Sequence, residues 1–160
     1  MKIVSMNICG FGGPTKQKAL KELFTTLNPD IILLQKTMCD HFTALWLFAF
    51  MKPGWEFCAI DALGLSGGII SAWNPRLVRC KAYHSFAGIL LSANFKALDS
   101  VFSIINCYGP YANRTTFWDT TVADLNFPNL ILDRDLNFTI YDIEIWGDHA
   151  RRDHLSLYFA

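Results

Sequence analysis

Five polar side chains stand at or just beyond the ends of apolar runs: Asn7, Lys36, Tyr108, Asp135 and Asn137. An ionised Asp can hold a hard divalent cation, or orient and deprotonate a water molecule. Neutral amide and phenol donors can hold an anion without repelling it. By residue type alone Asn7 and Asn137 equally suit loop ends, and Tyr108 a half-buried ring with a wet hydroxyl. Cysteine and histidine offer less. Cys9, Cys39, Cys58, Cys80 and Cys107 form no C-x-x-C pair, and several lie in apolar runs. The expectation is unpaired, buried thiols in a reducing compartment rather than a metal site. His41, His84 and His149 show no ligand-like spacing and read as structural or exposed. Asp153-His154 is an adjacent acid–imidazole pair near the end of the chain.

The elements that must position these groups follow from periodicity. Lys2 to Asn7 alternates as a short strand and is stopped by Gly10, Gly12 and Gly13. Pro14 suits a first helical turn, after which Leu20, Leu23, Phe24 and Leu27 recur at helical spacing. Asn28-Pro29-Asp30 breaks that helix, and Ile31 to Gln35 reads as a fully buried strand. Phe42 to Phe50 reads as a second helix. Short strands follow near 55–60, 67–73, 77–84, 88–95 and 101–107, then a helix over Thr115 to Leu125 and a buried strand over Asn129 to Leu132. Arg151 to Ala160 begins another helix. Strands with helices at both ends of the pattern predict stacked sheets covered outside by helices, an α/β (α+β) domain.

With 160 residues, the chain has material for one domain over 1–160. Apolar residues make up 52% and charged ones only 18%, which excludes disordered, collagen-like and coiled-coil chains. No apolar run reaches the ~18 residues of a bilayer span, and the N-terminus carries no signal-peptide pattern. No membrane association is expected, and the expected location is intracellular. The net charge of zero hides an asymmetry. Residues 1–118 hold eleven Lys/Arg against six Asp/Glu, and residues 119–160 hold three against eight. A basic part of this kind can face phosphate while the carboxylates sit elsewhere, although scatter over solvated faces gives the same count.

Five segments then occur in a telling order: Lys2-Ile-Val-Ser-Met-Asn7-Ile-Cys-Gly10, Leu33-Leu-Gln35-Lys36-Thr37, Ser66-Gly-Gly-Ile-Ile-Ser-Ala-Trp73-Asn74, Asn106-Cys-Tyr108-Gly-Pro110 and Leu130-Ile-Leu-Asp133-Arg-Asp135-Leu-Asn137. Together they resemble the endonuclease/exonuclease/phosphatase superfamily, the deoxyribonuclease I-like fold. Phe117-Trp118 and Glu144-Ile-Trp146-Gly147 add a likeness to the endonuclease domain of plant LINE-type (non-LTR) retrotransposons. The resemblance implies a four-layer αββα sandwich, here lacking its C-terminal strands, and Mg²⁺- or Mn²⁺-assisted hydrolysis of a phosphodiester in DNA. It places Asn7 beside the metal, Tyr108 on the phosphate, Asp135 on the attacking water and Asn137 on the phosphate or nucleophile.

Four departures from the pattern set the functional expectation. Lys36 stands where the family has its metal-binding Glu. Asp133-Arg134 replaces a Gly-Gly pair, two charged side chains where two small residues would keep the groove open. Met6 replaces a preferred Trp. The family's terminal Asp and catalytic His lie beyond this length of chain, and Asp153-His154 follows Asn137 too closely to stand in for them. The expected state is a degenerate, inactive domain binding no metal tightly. The alternatives are a weak Mg²⁺-dependent nuclease and a non-catalytic nucleic-acid-binding remnant. Lys36 is expected to reach the Asn7/Asp135/Asn137 cluster and to pair there with a carboxylate or with Asn side-chain oxygens.

Overall fold

The computed structural model describes residues 1–63, 66–98, 100–110, 112–123, 125–135, 141 and 153–158. The strand β1 (Ile3–Asn7) leads to the helix α1 (Pro14–Leu27), then β2 (Ile31–Gln35) and the helix α2 (His41–Met51). Five strands follow: β3 (Glu56–Leu63), β4 (Ser66–Trp73), β5 (Val78–Ser85), β6 (Gly88–Phe95) and β7 (Val101–Tyr108). The helix α3 (Arg114–Ala123), β8 (Leu130–Asp135) and a short 3-10 turn (His154–Tyr158) complete the described elements. The last strand runs three residues further than its apolar pattern predicts, because Asp133 finds buried partners described below. The described part of the expected terminal helix is the 3-10 turn.

The strands form two four-stranded sheets, in the orders β1-β2-β4-β3 and β5-β6-β7-β8. Pairing is antiparallel except at two places. β1 lies parallel to β2, with Asn7 opposite Gln35, and β7 lies parallel to β8, with Tyr108 opposite Asp135. Parallel pairing puts both members' C-terminal ends at the same edge. Each pair therefore delivers two polar terminal residues side by side.

Alternation along the strands then sorts the core into three layers. Ile32 and Leu34 of β2, with Ile70 and Ala72 of β4, pack under Leu20 and Phe24 of α1 and Leu47, Phe48 and Met51 of α2. Ile31 and Leu33 turn the other way and meet Trp73, Ile89, Leu91, Phe95 and Ile104 between the sheets. Ile105 and Cys107 face Trp118 of α3 and Leu155 on the far side. This is the α/β/β/α layering expected from the sequence.

The local signals hold at the helix ends. Pro14 occupies the first turn of α1, and Asn28 closes it in the left-handed conformation. The Asp40 side chain caps α2 by accepting from the Thr43 amide at 2.8 Å, and these hydrogen bonds lower its carboxyl pKa. α2 is apolar all round: it buries Ala44, Leu47, Phe48 and Met51 and leaves Phe42, Leu45, Trp46 and Phe50 exposed. Among the described residues no helix is long and apolar enough to cross a membrane. All five cysteines are unpaired. Burial pushes the Cys80 and Cys107 thiols up to about 12, while Cys9 departs from the expectation and is exposed.

Candidate active site

Period-two alternation carries the polar residues at one end of the sandwich onto the inner faces of both sheets. On β1 the inward positions are Ile3, Ser5 and Asn7. On β2 they are Ile31, Leu33 and Gln35, on β7 Ile104, Asn106 and Tyr108, and on β8 Ile131, Asp133 and Asp135. Each series begins apolar and ends polar. The inter-sheet layer is thus a hydrocarbon core at one end and a polar cluster at the other.

The outermost link of that cluster joins the two sheets directly. Asn7 Nδ2 donates to Asp135 Oδ2 at 2.5 Å, across 128 residues of sequence. Asn7 is aimed by its own turn, since its Oδ1 accepts from the Cys9 amide at 3.2 Å and from the Cys9 thiol at 3.3 Å. With the oxygen so held, the amide nitrogen is left to face the carboxylate.

One layer deeper lies a network that residue-type reasoning on the sequence missed. Gln35 Nε2 donates to Asn106 Oδ1 at 2.7 Å and to Asp133 Oδ2 at 2.5 Å. Asn106 Nδ2 in turn donates to the Ile70 carbonyl at 2.9 Å and to Ser71 Oγ at 3.1 Å. Ser5 is a further hydrogen-bond partner of Asp133. The signal was present in the sequence as a polar residue interrupting a buried run: Gln35 ends Ile-Ile-Leu-Leu, and Asn106 follows Ile-Ile in β7. Buried polar groups of this kind must find partners, and here they find each other.

The network changes the reading of Asp133-Arg134. Asp133 fills the inter-sheet layer, and alternation places Arg134 opposite Cys107, on the side that packs toward α3. Neither crowds the mouth of the cleft in the way two charged neighbours suggested. Burial raises the Asp133 carboxyl pKa, against the lowering influence of hydrogen bonds from Ser5 and Gln35. A raised acid pKa contributes stability that is complete below the unfolded-state value and is lost as pH rises through the folded-state value. Wild-type stability is therefore expected to carry a component that falls with rising pH from about 4 upward. Asp40 and Asp153, whose pKa values are lowered, give the opposite slope in wild type and variant alike. Urea unfolding across this range should show the Asp133→Asn variant gaining on wild type as pH rises. Parallel pH curves for the two proteins would contradict this account.

Lys36 follows immediately on β2. The chain leaves the strand there with a left-handed φ of 52°, and the Lys36 carbonyl accepts from the Gly10 amide at 2.7 Å. The side chain is half-buried, and among the described residues its ammonium makes no hydrogen bond or ion pair. Among the described residues the expected pairing with a carboxylate or an Asn oxygen is thus not formed. Asp135 takes its hydrogen bond from the neutral Asn7 amide, while a four-carbon stem lets the Lys36 head stay hydrated. Tyr108 stands opposite Asp135, with its hydroxyl buried. Asn137 lies outside the described residues, as do Glu144 to Gly147 and His149.

Asp153 and His154 belong elsewhere. The Asp153 carboxylate accepts from Arg114 at 2.6 Å, and exposed His154 approaches Thr115 at 3.5 Å. Burial raises the Asp153 pKa, but the hydrogen bonds from the Leu155 amide and Arg114 outweigh it, and the net shift is downward. The pair ties the 3-10 turn to the start of α3. His41 lies 5.4 Å from Phe57, ring to ring, and His84 is exposed on β5.

The donor set that the described residues present does not fit a tightly held divalent ion. Mg²⁺ and Mn²⁺ take oxygen ligands, with carboxylates foremost. At the strand ends the described residues offer Asp135 and the Asn7 amide, Asp133 is committed inside the network, and Lys36 adds a positive charge. Among the described residues no three His, Cys, Asp or Glu side chains come together as a metal site.

No family model matches the chain, and neither does any curated protein. Solved structures do. An AP endonuclease from Archaeoglobus fulgidus superimposes with a TM-score of 0.73 at 14% identity, covering 98% of this chain and 66% of its own. An AP endonuclease from Leishmania major gives 0.69 at 16% identity, with 92% and 58% covered. D. rerio TDP2 complexed with a single-strand DNA product gives 0.64 at 13% identity, with 87% and 61% covered. The chain spans roughly 60% of the length of these structures. At such identities the likeness is one of fold, the deoxyribonuclease I-like sandwich.

Proposed function

We propose that this chain is a degenerate phosphodiester-hydrolase domain, descended from the DNA endonuclease of a LINE-type retrotransposon. On this reading it keeps the substrate-facing end of the sandwich and has lost metal-dependent turnover. The observation that supports it is the polar end itself. Asn7, Tyr108 and Asp135 stand together where two parallel strand pairs end, and an ammonium follows directly on β2. Asn7 and Tyr108 would hold the phosphate, Asp135 would orient water, and Asn137 would complete the set. Lys36 disfavours a divalent ion: at ~4 Å the repulsion is about 8 kcal/mol for a doubly charged ion at an effective dielectric near 20. The same ammonium favours a bound phosphodiester. The retrotransposon lineage rests on the order of the sequence motifs, and a role on DNA would place the protein in the nucleus.

A second reading, a weak Mg²⁺-dependent nuclease, is favoured by one feature: Asp135 keeps its place and is oriented by Asn7. Two measurements separate the readings. Supercoiled plasmid incubated with the wild-type protein and millimolar Mg²⁺ or Mn²⁺ should stay intact, and the melting temperature should not respond to either ion. In the Lys36→Glu variant a carboxylate replaces the ammonium at the end of β2, and Mg²⁺ should then stabilise the fold. At ten times its dissociation constant the gain is about 1.4 kcal/mol, or roughly 3–6 °C for a domain of this size. Nicking by the wild-type chain, abolished in Asp135→Ala, would establish the second reading instead.

A further inference from the structure

The paired ends of β3 and β4, at Leu63 and Ser66, and the turn between β5 and β6 belong to different sheets, yet both lie at the site end of the sandwich. Ile69 of β4 is opposite both Gln35 and Ile60, so Leu63 and Ser66 extend past the end of β2. Gly88 is opposite Cys107, so Ser85 to Gly88 lies beside Tyr108. Between them runs a groove of about 410 Å³ lined by Ile60, Leu63, Gly67, Phe86, Tyr108 and Phe117, among others. That volume suits a small ligand or part of a larger one. Gly67 keeps the floor open, since a Cβ there would meet nothing within 4 Å. Phe86 is 64% exposed, with its ring 5.4 Å from that of Phe117. Two aromatic rings are thus left at a mouth that continues directly from Tyr108.

Charge tells the two ends of this region apart. Among the described residues no Lys or Arg lines the groove, and Asp61 does, so a phosphate is repelled from it. Lys36 lies just outside, its neighbour Thr37 donating its amide to the Gly68 carbonyl of the groove wall at 3.1 Å. An anion is therefore drawn toward Lys36 and a flat, uncharged group toward Phe86. A nucleotide has both parts. We infer that the groove holds a nucleobase of single-stranded DNA, stacked on Phe86, while the adjoining phosphodiester lies at Lys36. This rests on the phosphodiester reading above. Stacking tolerates any base, because every base has a π-face, and Asp61 can accept from a base N–H at the rim.

The test uses the full chain and fluorescence anisotropy at low salt. Its probes are a labelled mixed-sequence single-stranded oligonucleotide and an abasic oligonucleotide of the same length and charge. Wild type should bind the base-bearing strand about tenfold more tightly than the abasic one. Phe86→Ala should remove that difference, and Phe86→Trp should restore it. Phe86 is a surface side chain, so circular dichroism should show both variants folded. If Phe86→Ala and the abasic strand bind as wild type and base-bearing strand do, while Lys36→Ala weakens both, the groove assignment is overturned and the phosphodiester reading stands. If wild type binds neither strand, both are overturned.

Discussion

Asn106→Ala is expected to lower the unfolding free energy by about 3–4 kcal/mol. Asn106 is fully buried and bonds from its own sheet to two strands of the other. From β7 its side chain reaches Gln35 of β2 and Ile70 and Ser71 of β4. Truncation removes an acceptor from the Gln35 amide and a donor from the Ile70 carbonyl and the Ser71 hydroxyl, in a place where water cannot easily substitute. Each buried group left unmade costs roughly 1–3 kcal/mol, with partial recovery where a neighbour or a water fills in. Against a typical total of about 5–15 kcal/mol, this single change removes a large share of the margin. Urea denaturation at fixed pH measures it. A loss below about 1 kcal/mol would mean that the layer is bridged by water and that Asn106 does not hold the sheets in register. Because Tyr108 is two residues further along β7, the same variant should also weaken oligonucleotide binding.

Gly88→Ala is the second large effect, expected at about 2–4 kcal/mol. Gly88 opens β6 with a φ of 147°, a conformation that side-chain-bearing residues rarely adopt. A Cβ built there would run into the Asn106 carbonyl oxygen, which is main chain and cannot swing aside. The β5–β6 turn is tied by the Ser85 hydroxyl, which accepts from the Gly88 amide and donates to the Gly88 carbonyl, both at 3.1 Å. Moving Gly88 away from Asn106 therefore strains this turn and the end of the β6–β7 pairing together. The melting temperature should fall by roughly 4–16 °C for a domain of this size. As a contrast, Gly13→Ala should leave stability nearly unchanged, because its φ is −81° and a Cβ there meets no neighbour. Equal effects at the two glycines would remove the steric argument.

Much of this architecture is legible in the chain by itself. Apolar periodicity, Pro14, Asn28 and the turn residues locate every described helix and all eight strands to within a few residues. The reason is physical: burial on one face imposes a period of 3.6 or 2 that survives in any context. Asn7 was legible for the same reason, since it ends its strand, whereas Tyr108 and Asp135 lie just beyond the runs that the pattern marks and were singled out by the resemblance of the motifs around them. Gln35, Asn106 and Asp133 were not singled out as a group. Their significance lies in contacts across 71 and 98 residues of sequence, which a local pattern does not encode.

The partner of each polar side chain was decided by tertiary structure alone. Alternation says that Asn7, Gln35, Tyr108 and Asp135 face inward, but not across what. The answer depends on two parallel pairings, β1 with β2 and β7 with β8, and on the packing of one sheet against the other. That packing gave Asp135 the Asn7 amide rather than the Lys36 ammonium, turned Arg134 away from the cleft and drew Asp133 into the interior. Residue types and strand phase are properties of a few neighbouring residues, so the sequence by itself determined them. Hydrogen bonds between sheets depend on where distant backbones stop, and only the assembled sandwich sets that distance.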